Sequence, residues 1–364
     1  MKGLVLAGGS GTRLRPITST SAKQLVPVAN KPILFYGLES LAESGIREVG
    51  IIVGDTAEEV SAAVGDGKRW GLDVTYLPQA APLGLAHCVL VARDFLGGDD
   101  FVMYLGDNLL TQGIDGFVEA FETERGSARA AGRQPPVAQI LLARVPDPHR
   151  FGVAELDASG RVVRLVEKPV DPPSDLALVG VYLFDSTIHQ AVAAIRPSAR
   201  GELEITDAIQ WLLENGHRVN SQVVQGYWKD LGQREALLEG NRLVLESVEP
   251  RVEGLVDAES RLEGRVVVEQ GARIVRSVVR GPAIVGEGSV VEDSFVGPFT
   301  SIYRDCRIVR SEIEHSVVMA SATIVDIGRL VDSLIGNRVT VARNEQRPKA
   351  LRLMLGDHSR VDLA

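Results

Sequence analysis

Long apolar runs are missing from this chain: no stretch of about 18 apolar residues occurs. The N-terminal run Gly3 to Ala7 breaks into glycines too early to serve as the apolar segment of a secretion signal. Cysteine is scarce as well. Cys88 and Cys306 lie far apart with no CxxC spacing, which excludes a disulfide framework and suits a reduced compartment. Positive charge is in deficit: a net charge of -9 and a pI near 5.3 argue against nonspecific binding to nucleic acid or to an anionic membrane. The 6 histidines show no ligand spacing, and no Ser-His-Asp or Cys-His arrangement is apparent. A cytoplasmic protein is expected, in which any polyanionic ligand is met by local cations.

What is present is the composition of a folded chain. With 45% apolar and 24% charged residues over 364 positions, the sequence can bury a large core and suits a larger and a smaller domain. From Lys2 to about Leu245, short apolar runs alternate with segments of helical period, the pattern of an α/β, Rossmann-like, mostly parallel sheet with crossover helices. Strands are expected at Gly3 to Ala7, Glu48 to Val53, Val74 to Leu77, Phe101 to Leu105, Gln139 to Ala143 and Leu178 to Phe184. Phe151 to Leu156 and Arg161 to Glu167 read as a hairpin. Helices are expected over Ile33 to Ser44, Thr56 to Val64, Gly84 to Phe95, Ile114 to Glu124, Ile205 to Asn215 and Arg234 to Leu245, with Gly126 to Pro136 an exposed loop.

After Pro250 the period changes. Val279, Val285, Val291, Val296, Ile302, Ile308, Ile313, Val318, Ile324, Leu330, Ile335 and Val341 recur at steps of five or six, with turn residues at Gly281-Pro282, Gly286-Glu287-Gly288 and Gly297-Pro298. Hairpins would alternate with a period of two; a longer fixed step means a parallel β-helix. The expected domains are therefore residues 1-245 and a β-helix with its tail over 246-364.

Chemistry concentrates in a few segments. Gly8, Gly9, Ser10, Gly11, Thr12 and Arg13 follow a buried strand, so their backbone N–H groups can converge on anionic oxygens. The loop fits neither a P-loop nor a Rossmann fingerprint, since the Lys-Ser/Thr pair is missing and Leu14 takes the place of the third glycine. By itself it reads equally as a tight strand-to-loop connection. Lys23 and Gln24 add a cation and an amide, and fixed cations are what a reacting triphosphate requires; a solvated lysine is the plainer alternative. Gly106-Asp107-Asn108 closes a hydrophobic strand at the end where parallel sheets bind ligands, so Asp107 suits Mg²⁺ or, alternatively, a helix cap. Asp230 in Trp228-Lys229-Asp230 offers a second carboxylate for the same ion. Glu167-Lys168-Pro169 could hold a sugar and its phosphate or form a surface ion pair.

Taken in order, Leu-Ala-Gly-Gly-Ser-Gly-Thr-Arg-Leu, Lys-Gln-Leu-Val-Pro, Gly-Asp-Asn, Glu-Lys-Pro, Gly-Glu-Leu-Glu-Ile-Thr-Asp and Trp-Lys-Asp resemble the glucose-1-phosphate thymidylyltransferases, within the sugar nucleotidylyltransferases. The repeat makes the chain similar to the long form, which carries a C-terminal left-handed β-helix and occurs in bacterial deoxysugar and antibiotic-sugar pathways. The resemblance implies transfer from dTTP to glucose-1-phosphate with Mg²⁺. Arg13, Lys23 and Lys168 would be the catalytic cations, and Asp107 and Asp230 the metal ligands. Leu6, Gly8, Gly9, Ser10, Gly11, Thr12, Gln24, Gln79, Gly84 and Asp107 would surround the nucleotide. Gly152, Glu167, Lys168, Leu178 and Tyr182 would surround the sugar phosphate.

Leu231 and Phe151 stand where the short form usually has Thr and Tyr, and each loses a hydroxyl near the sugar. UTP as donor, an acyltransferase β-helix using His315, and a non-catalytic nucleotide-sugar sensor are the competing readings. Neither nucleic acid nor membrane is an expected partner; a homo-oligomer formed through the β-helix is.

Overall fold

The computed structural model describes residues 1–9, 11–18, 21–343 and 359–361. It divides into two compact units: Met1–Ser10 with Ile33–Asp230, and Gly11–Pro32 with Leu231–Ala364. Among the described residues no helix is long and apolar enough to cross a membrane.

The first unit is built on a 9-stranded sheet. Its centre is the strand Lys2–Leu6, which pairs in parallel with Glu48–Val53 on one side and Phe101–Leu105 on the other; Asp73–Pro78 extends the parallel part. Leu4, Val5, Ile51, Ile52, Phe101 and Met103 are all buried, as expected where helices cover both faces. On one face the helices Leu85–Val91, Ile188–Ala194 and Ile205–Glu214 join Leu4, Leu6, Phe101 and Met103 in one apolar cluster. On the other, the helix Ile33–Glu43 lies so close that a Cβ on Gly37 would come within 2.9 Å of the Tyr104 ring. Its Leu34, Leu38 and Leu41 are fully buried, each contributing roughly 1.5–3 kcal/mol.

Beyond Phe101–Leu105 the sheet turns antiparallel. The strand Leu176–Phe184 pairs with Phe101–Leu105 through residues Val181 to Phe184, and also with Ala138–Arg144 and, at Ala177, with Gly152–Leu156. Gly180, at a φ of 80°, marks the irregularity that lets one strand serve both branches. The sheet is thus mixed, with the parallel character confined to the part that the N-terminal motifs enter.

Three expectations change. The helix expected to end at Glu124 runs over Asp115–Ala130, so much of the expected Gly126 to Pro136 loop is helical, with Ala128 fully buried. The helix expected over Gly84 to Phe95 is broken at Ala92 into Leu85–Val91 and Arg93–Leu96. Short elements without a strong period, such as the helix Ile188–Ala194 and the edge strand Val219–Val223, leave too few residues to register in the sequence.

The second unit contains three stacked parallel sheets of six, six and five strands, the architecture of the left-handed parallel β-helix. Successive coils pair in register, as in Val268 with Val285 and Val285 with Ile302. Of the residues in the hexad-like series, Val279 to Ile324 are buried inside the coil, and Leu330, Ile335 and Val341 pack against them.

A serine column reinforces one corner. The Oγ atoms of Ser260, Ser277, Ser294 and Ser311 each accept the N–H of the residue one coil on, at 3.0 to 3.1 Å, while Ser277, Ser294 and Ser311 donate to the carbonyl two residues back. Buried backbone donors at the corners are satisfied in this way without widening the coil. On the outside, Arg276 is clamped by Asp293, and Arg310 by Asp326, in a ladder of alternating charge.

Replacing Ser294 with Ala should leave the N–H of Ser311 without an acceptor in a buried corner. The expected loss is about 1–3 kcal/mol, read as a lower unfolding midpoint for the β-helix transition; an unchanged midpoint would rule out a structural role for the column.

Candidate active site

At the C-terminal ends of the three central parallel strands, backbone hydrogen bonds bring three turns together. The N–H of Ala7 donates to Ile52 O at 2.8 Å, and that of Gly106 to Leu6 O at 3.0 Å. Gly8 consequently lies against Gly54, where an added Cβ would stand 2.8 Å from the Gly8 carbonyl oxygen. Gly54 was not among the expected site residues; its signal is the glycine that ends the strand Glu48–Val53. Gln79 is tied into the same turn, its N–H donating to Val53 O at 2.8 Å. Its Nε2 and His87 Nδ1 are 2.9 Å apart, while its Oε1 is the atom nearest a Cβ built on Gly8. Leu6 is buried directly beneath.

Asp107 is only 9% exposed and sits where the Phe101–Leu105 strand leaves the sheet. The chain then forms a short antiparallel ribbon in which Asn108 faces Asp230 across the register. Asn108 fixes the geometry here: its Nδ2 donates to Asp107 Oδ1 at 3.2 Å, its Oδ1 accepts the Trp228 indole N–H at 2.5 Å, and its carbonyl accepts the Tyr104 hydroxyl at 3.3 Å. Burial, then the charge of Asp107, pushes the Tyr104 phenol far above its ordinary pKa. Asp230, remote in sequence, thus pairs across a two-stranded ribbon with the residue that follows Asp107. Among the described residues no group of three or more His, Cys, Asp or Glu is arranged around a common point. A pair of carboxylates suits a hard cation that completes its shell with phosphate oxygens and water.

The hairpin of Gly152–Leu156 and Val162–Glu167 places Glu167 opposite Gly152. A Cβ on Gly152 would lie 2.7 Å from Leu178 Cδ1, 2.7 Å from Thr206 Oγ1 and 3.1 Å from Glu167 Oε2, so only glycine leaves this corner open. Glu167 Oε2 accepts the Thr206 hydroxyl at 2.7 Å. Its Oε1 lies 3.6 Å from Lys168 Nζ and 3.5 Å from Arg200 Nη2. Lys168 has a φ of 40°, a left-handed conformation stabilised by its N–H donating to Phe151 O at 3.0 Å. Tyr182 and Leu178 are buried beside this cluster, and burial followed by the charge of Glu167 raises the Tyr182 phenol strongly.

Arg200 and Thr206 are the residues of this cluster that sequence reasoning assigned no role. Arg200 bridges Glu167, Glu202 and the buried Glu204, at 3.5, 3.1 and 2.8 Å. Its only sequence signal is an arginine four residues ahead of a glutamate that caps a helix. Gly84, with a φ of 103°, presses on the same segment: a Cβ there would be 2.4 Å from Leu203 O. Phe151, in the position expected for Tyr, packs edge-on against Trp228 at 5.6 Å.

Of the remaining expected residues, Gly9 belongs to the first unit, Ser10 lies outside the described residues, and Gly11, Thr12, Arg13, Lys23 and Gln24 belong to the second unit. Gly11 has a φ of 63°, and a Cβ on it would meet Lys23 Cβ at 2.9 Å; Thr18 Oγ1 donates to its carbonyl at 2.6 Å. Thr12 and Arg13, both exposed, form a 3₁₀ turn with the buried Leu14, and Lys23 and Gln24 form another with Leu25. Within this unit the loop is therefore folded back so that the backbone of its last glycine touches Lys23. Gln24 is 1% exposed, and its Oε1 has no hydrogen-bond donor among the described residues.

A profile of the family described as nucleotidyl transferase matches residues 2–247. Over the full length of both chains, the sequence is 58% identical to a glucose-1-phosphate thymidylyltransferase of Streptomyces griseus. A second protein of that name from Streptomyces antibioticus is also 58% identical, over 100% of this chain and 99% of its own. Among solved structures, a Bacillus anthracis protein provisionally named a glucose-1-phosphate thymidylyltransferase, in complex with a sucrose, is similar at 35% identity and a TM-score of 0.62, covering 68% of this chain and 96% of that one.

Asp207 supplies a pH test. Burial, then Glu204 and Glu167, raises its pKa above the ordinary 3.8. A carboxyl whose folded pKa is raised costs stability once pH exceeds its unfolded value. Asp207→Asn should therefore raise the unfolding midpoint at neutral pH, with the gain vanishing below about pH 3.8. A gain that persists unchanged in acid would contradict this origin.

Proposed function

The chain belongs to the nucleotidyl transferase family, and we propose that it transfers a thymidylyl group from dTTP to glucose-1-phosphate, giving dTDP-glucose and pyrophosphate for deoxysugar synthesis. The observation that carries this reading is the likeness, 58% identity from end to end, to two relatives bearing that name. The site geometry supplies a chemistry in agreement with it.

In the proposed reaction a phosphate oxygen of glucose-1-phosphate attacks the α-phosphorus of dTTP. One P–O bond forms, the bond to the β-phosphate oxygen breaks, and pyrophosphate leaves with the electron pair. The attacking oxygen is already ionised at neutral pH, so no general base is required. Catalysis rests on positioning and on neutralising charge as it moves to the leaving group.

Arg13 forks over the phosphates and Lys23 acts as a point charge, with backbone donors from Gly8, Gly9, Ser10, Gly11 and Thr12. Gln24, whose buried side-chain carbonyl oxygen has no donor among the described residues, adds an amide. Gln79, held through His87, reads the base together with Gly84, and Leu6 packs near the nucleoside. Lys168 neutralises the sugar phosphate. Glu167, oriented by Thr206, accepts sugar hydroxyls in the corner left by Gly152, with Leu178 and Tyr182 as walls.

Asp107 and Asp230 are the residues that would hold Mg²⁺, which supplies additional charge neutralisation when bound. A nearly buried Asp107, with Asp230 opposite the next residue across the ribbon, suits an ion that takes few protein ligands. We assign residues 1–245 to the transferase domain. The buried, unpaired Cys88 and Cys306 agree with a reducing, cytoplasmic setting.

Asp107→Asn should lower turnover by about three orders of magnitude or more with an unchanged fold, measured by pyrophosphate release from dTTP and glucose-1-phosphate. Near-normal activity would refute the metal assignment. Running the wild type with UTP in the same assay decides the donor: a pocket that accommodates the thymine methyl discriminates only modestly, about 10- to 200-fold, and a preference for UTP would overturn the thymidylyl reading.

The β-helix is the element proposed to form a homo-oligomer, supported by exposed Val252, Leu255 and Val331 on its coils. Sedimentation equilibrium should give a mass above the 39.2 kDa of one chain; a monomer at micromolar concentration would refute it.

A further inference from the structure

The second unit holds the segment Gly11–Pro32 as well as the β-helix, and the way it is held has a consequence for catalysis. Immediately after the turn bearing Lys23 and Gln24, Pro27–Val28 and Lys31–Pro32 pair as a minimal hairpin. Its tip, Ala29-Asn30, has φ values of 46° and 60°. Two consecutive left-handed residues are the signature of a tight hairpin turn, for which Asn-Gly is the favoured pair. Alanine at the first position is disfavoured by its Cβ and persists only where surrounding contacts over-determine it.

Those contacts come from the helix Arg234–Glu246 and from the β-helix. The N–H of Ala29 donates to Asn241 Oδ1 at 2.8 Å. Asn241, only 1% exposed, also accepts the Ser301 hydroxyl on the same oxygen at 2.8 Å, and its Nδ2 donates to Phe299 O at 3.1 Å. One amide thus joins hairpin tip, helix and coil.

A second anchor is independent of the first: Asn30 Nδ2 donates to Ile302 O at 2.8 Å, and a Cβ on Gly286, one coil away, would come within 2.9 Å of that nitrogen. Around both, Ala29, Leu245, Val267 and Ile284 form a buried apolar cluster packed by Val244 and Val248. Val267, Ile284 and Ser301 point outward from the coil yet are buried, because the helix and the hairpin cover that face.

We propose that Asn241 is a positioning residue for the triphosphate-binding loop, and that the β-helix coil Phe299–Ile302 is the base on which it fixes that loop. The proposal rests on the reading that Arg13 and Lys23 hold the phosphates. Asn241 touches no substrate; it acts by locking the hairpin that follows Lys23, whose Cβ in turn lies against Gly11. The β-helix then serves the transfer reaction as a brace.

The test compares Asn241→Ala, Asn30→Ala and Lys23→Ala by steady-state kinetics in the full-length enzyme, alongside their unfolding midpoints. Displacing a bound group by about an ångström can cost on the order of 100-fold. Asn241→Ala is expected to raise the KM for dTTP and lower kcat by on the order of 10- to 100-fold together, while the KM for glucose-1-phosphate changes by less than about twofold. Asn30→Ala should shift the same parameters in the same direction, and it keeps the test open if Asn241→Ala folds poorly. If the Asn variants change neither parameter, or change both KM values equally in line with lost folded protein, the positioning role is overturned even though Lys23→Ala impairs dTTP use. A Lys23→Ala enzyme with normal dTTP kinetics would overturn the phosphate reading and the positioning role with it.

Discussion

The candidate site depends on one constraint: three parallel strands, Lys2–Leu6, Glu48–Val53 and Phe101–Leu105, end at the same level of one sheet. In a parallel sheet the registers are set by continuous backbone ladders, so turns far apart in sequence are delivered to one edge. The bonds from Ala7 to Ile52 and from Gly106 to Leu6 carry the ladder one residue beyond the strands and bring Gly8, Gly54 and the Gly106-Asp107 turn together. Without side chains at Gly8 and Gly54 the two backbones approach within contact distance, and a Cβ on Gly54 would drive them apart.

From this edge the surroundings of Asp107 and of Glu167 are organised by different means. Asp107 is oriented by a neutral neighbour, Asn108, which is itself saturated by Trp228 and Tyr104. A neutral hydrogen bond thus orients one oxygen of this nearly buried carboxylate. Glu167 is handled oppositely: Thr206 takes one oxygen and two cations flank the other.

The β-helix stands on simpler physics. Its interior is a stack of aliphatic side chains in register, and its corners are closed by serine hydroxyls that accept from the next coil. Because each coil repeats the last, the structure offers a long, regular face of backbone carbonyls and small side chains. The hairpin tip Ala29-Asn30 uses that face at Phe299 and Ile302, through Asn241 and Asn30.

Much of this was legible in the residues alone. Strands with continuous apolar runs, such as Glu48–Val53 and Phe101–Leu105, have the expected bounds because burial on both faces demands an unbroken series. The hexad-like series Val279 to Ile324 lies inside the coil for the same reason: a repeat has one way to bury a periodic residue. The order of motifs carried the family. What the sequence left open are contacts between residues remote in the chain. The extension of Asp115–Ala130 through a polar stretch follows from the burial of Ala128, a tertiary fact. Arg200 joins Glu167 across a long stretch of chain only because the strand Val162–Glu167 packs on the helix that begins at Ile205. The neighbourhood of Asp107 and Asp230 is decided by a ribbon too short to have a period, and the capture of Ala29 by Asn241 by an amide that looks, in sequence, like any polar residue on a helix. Periodic burial is written locally and can be read locally; the direction of a single hydrogen bond is set by whatever the fold brings opposite it.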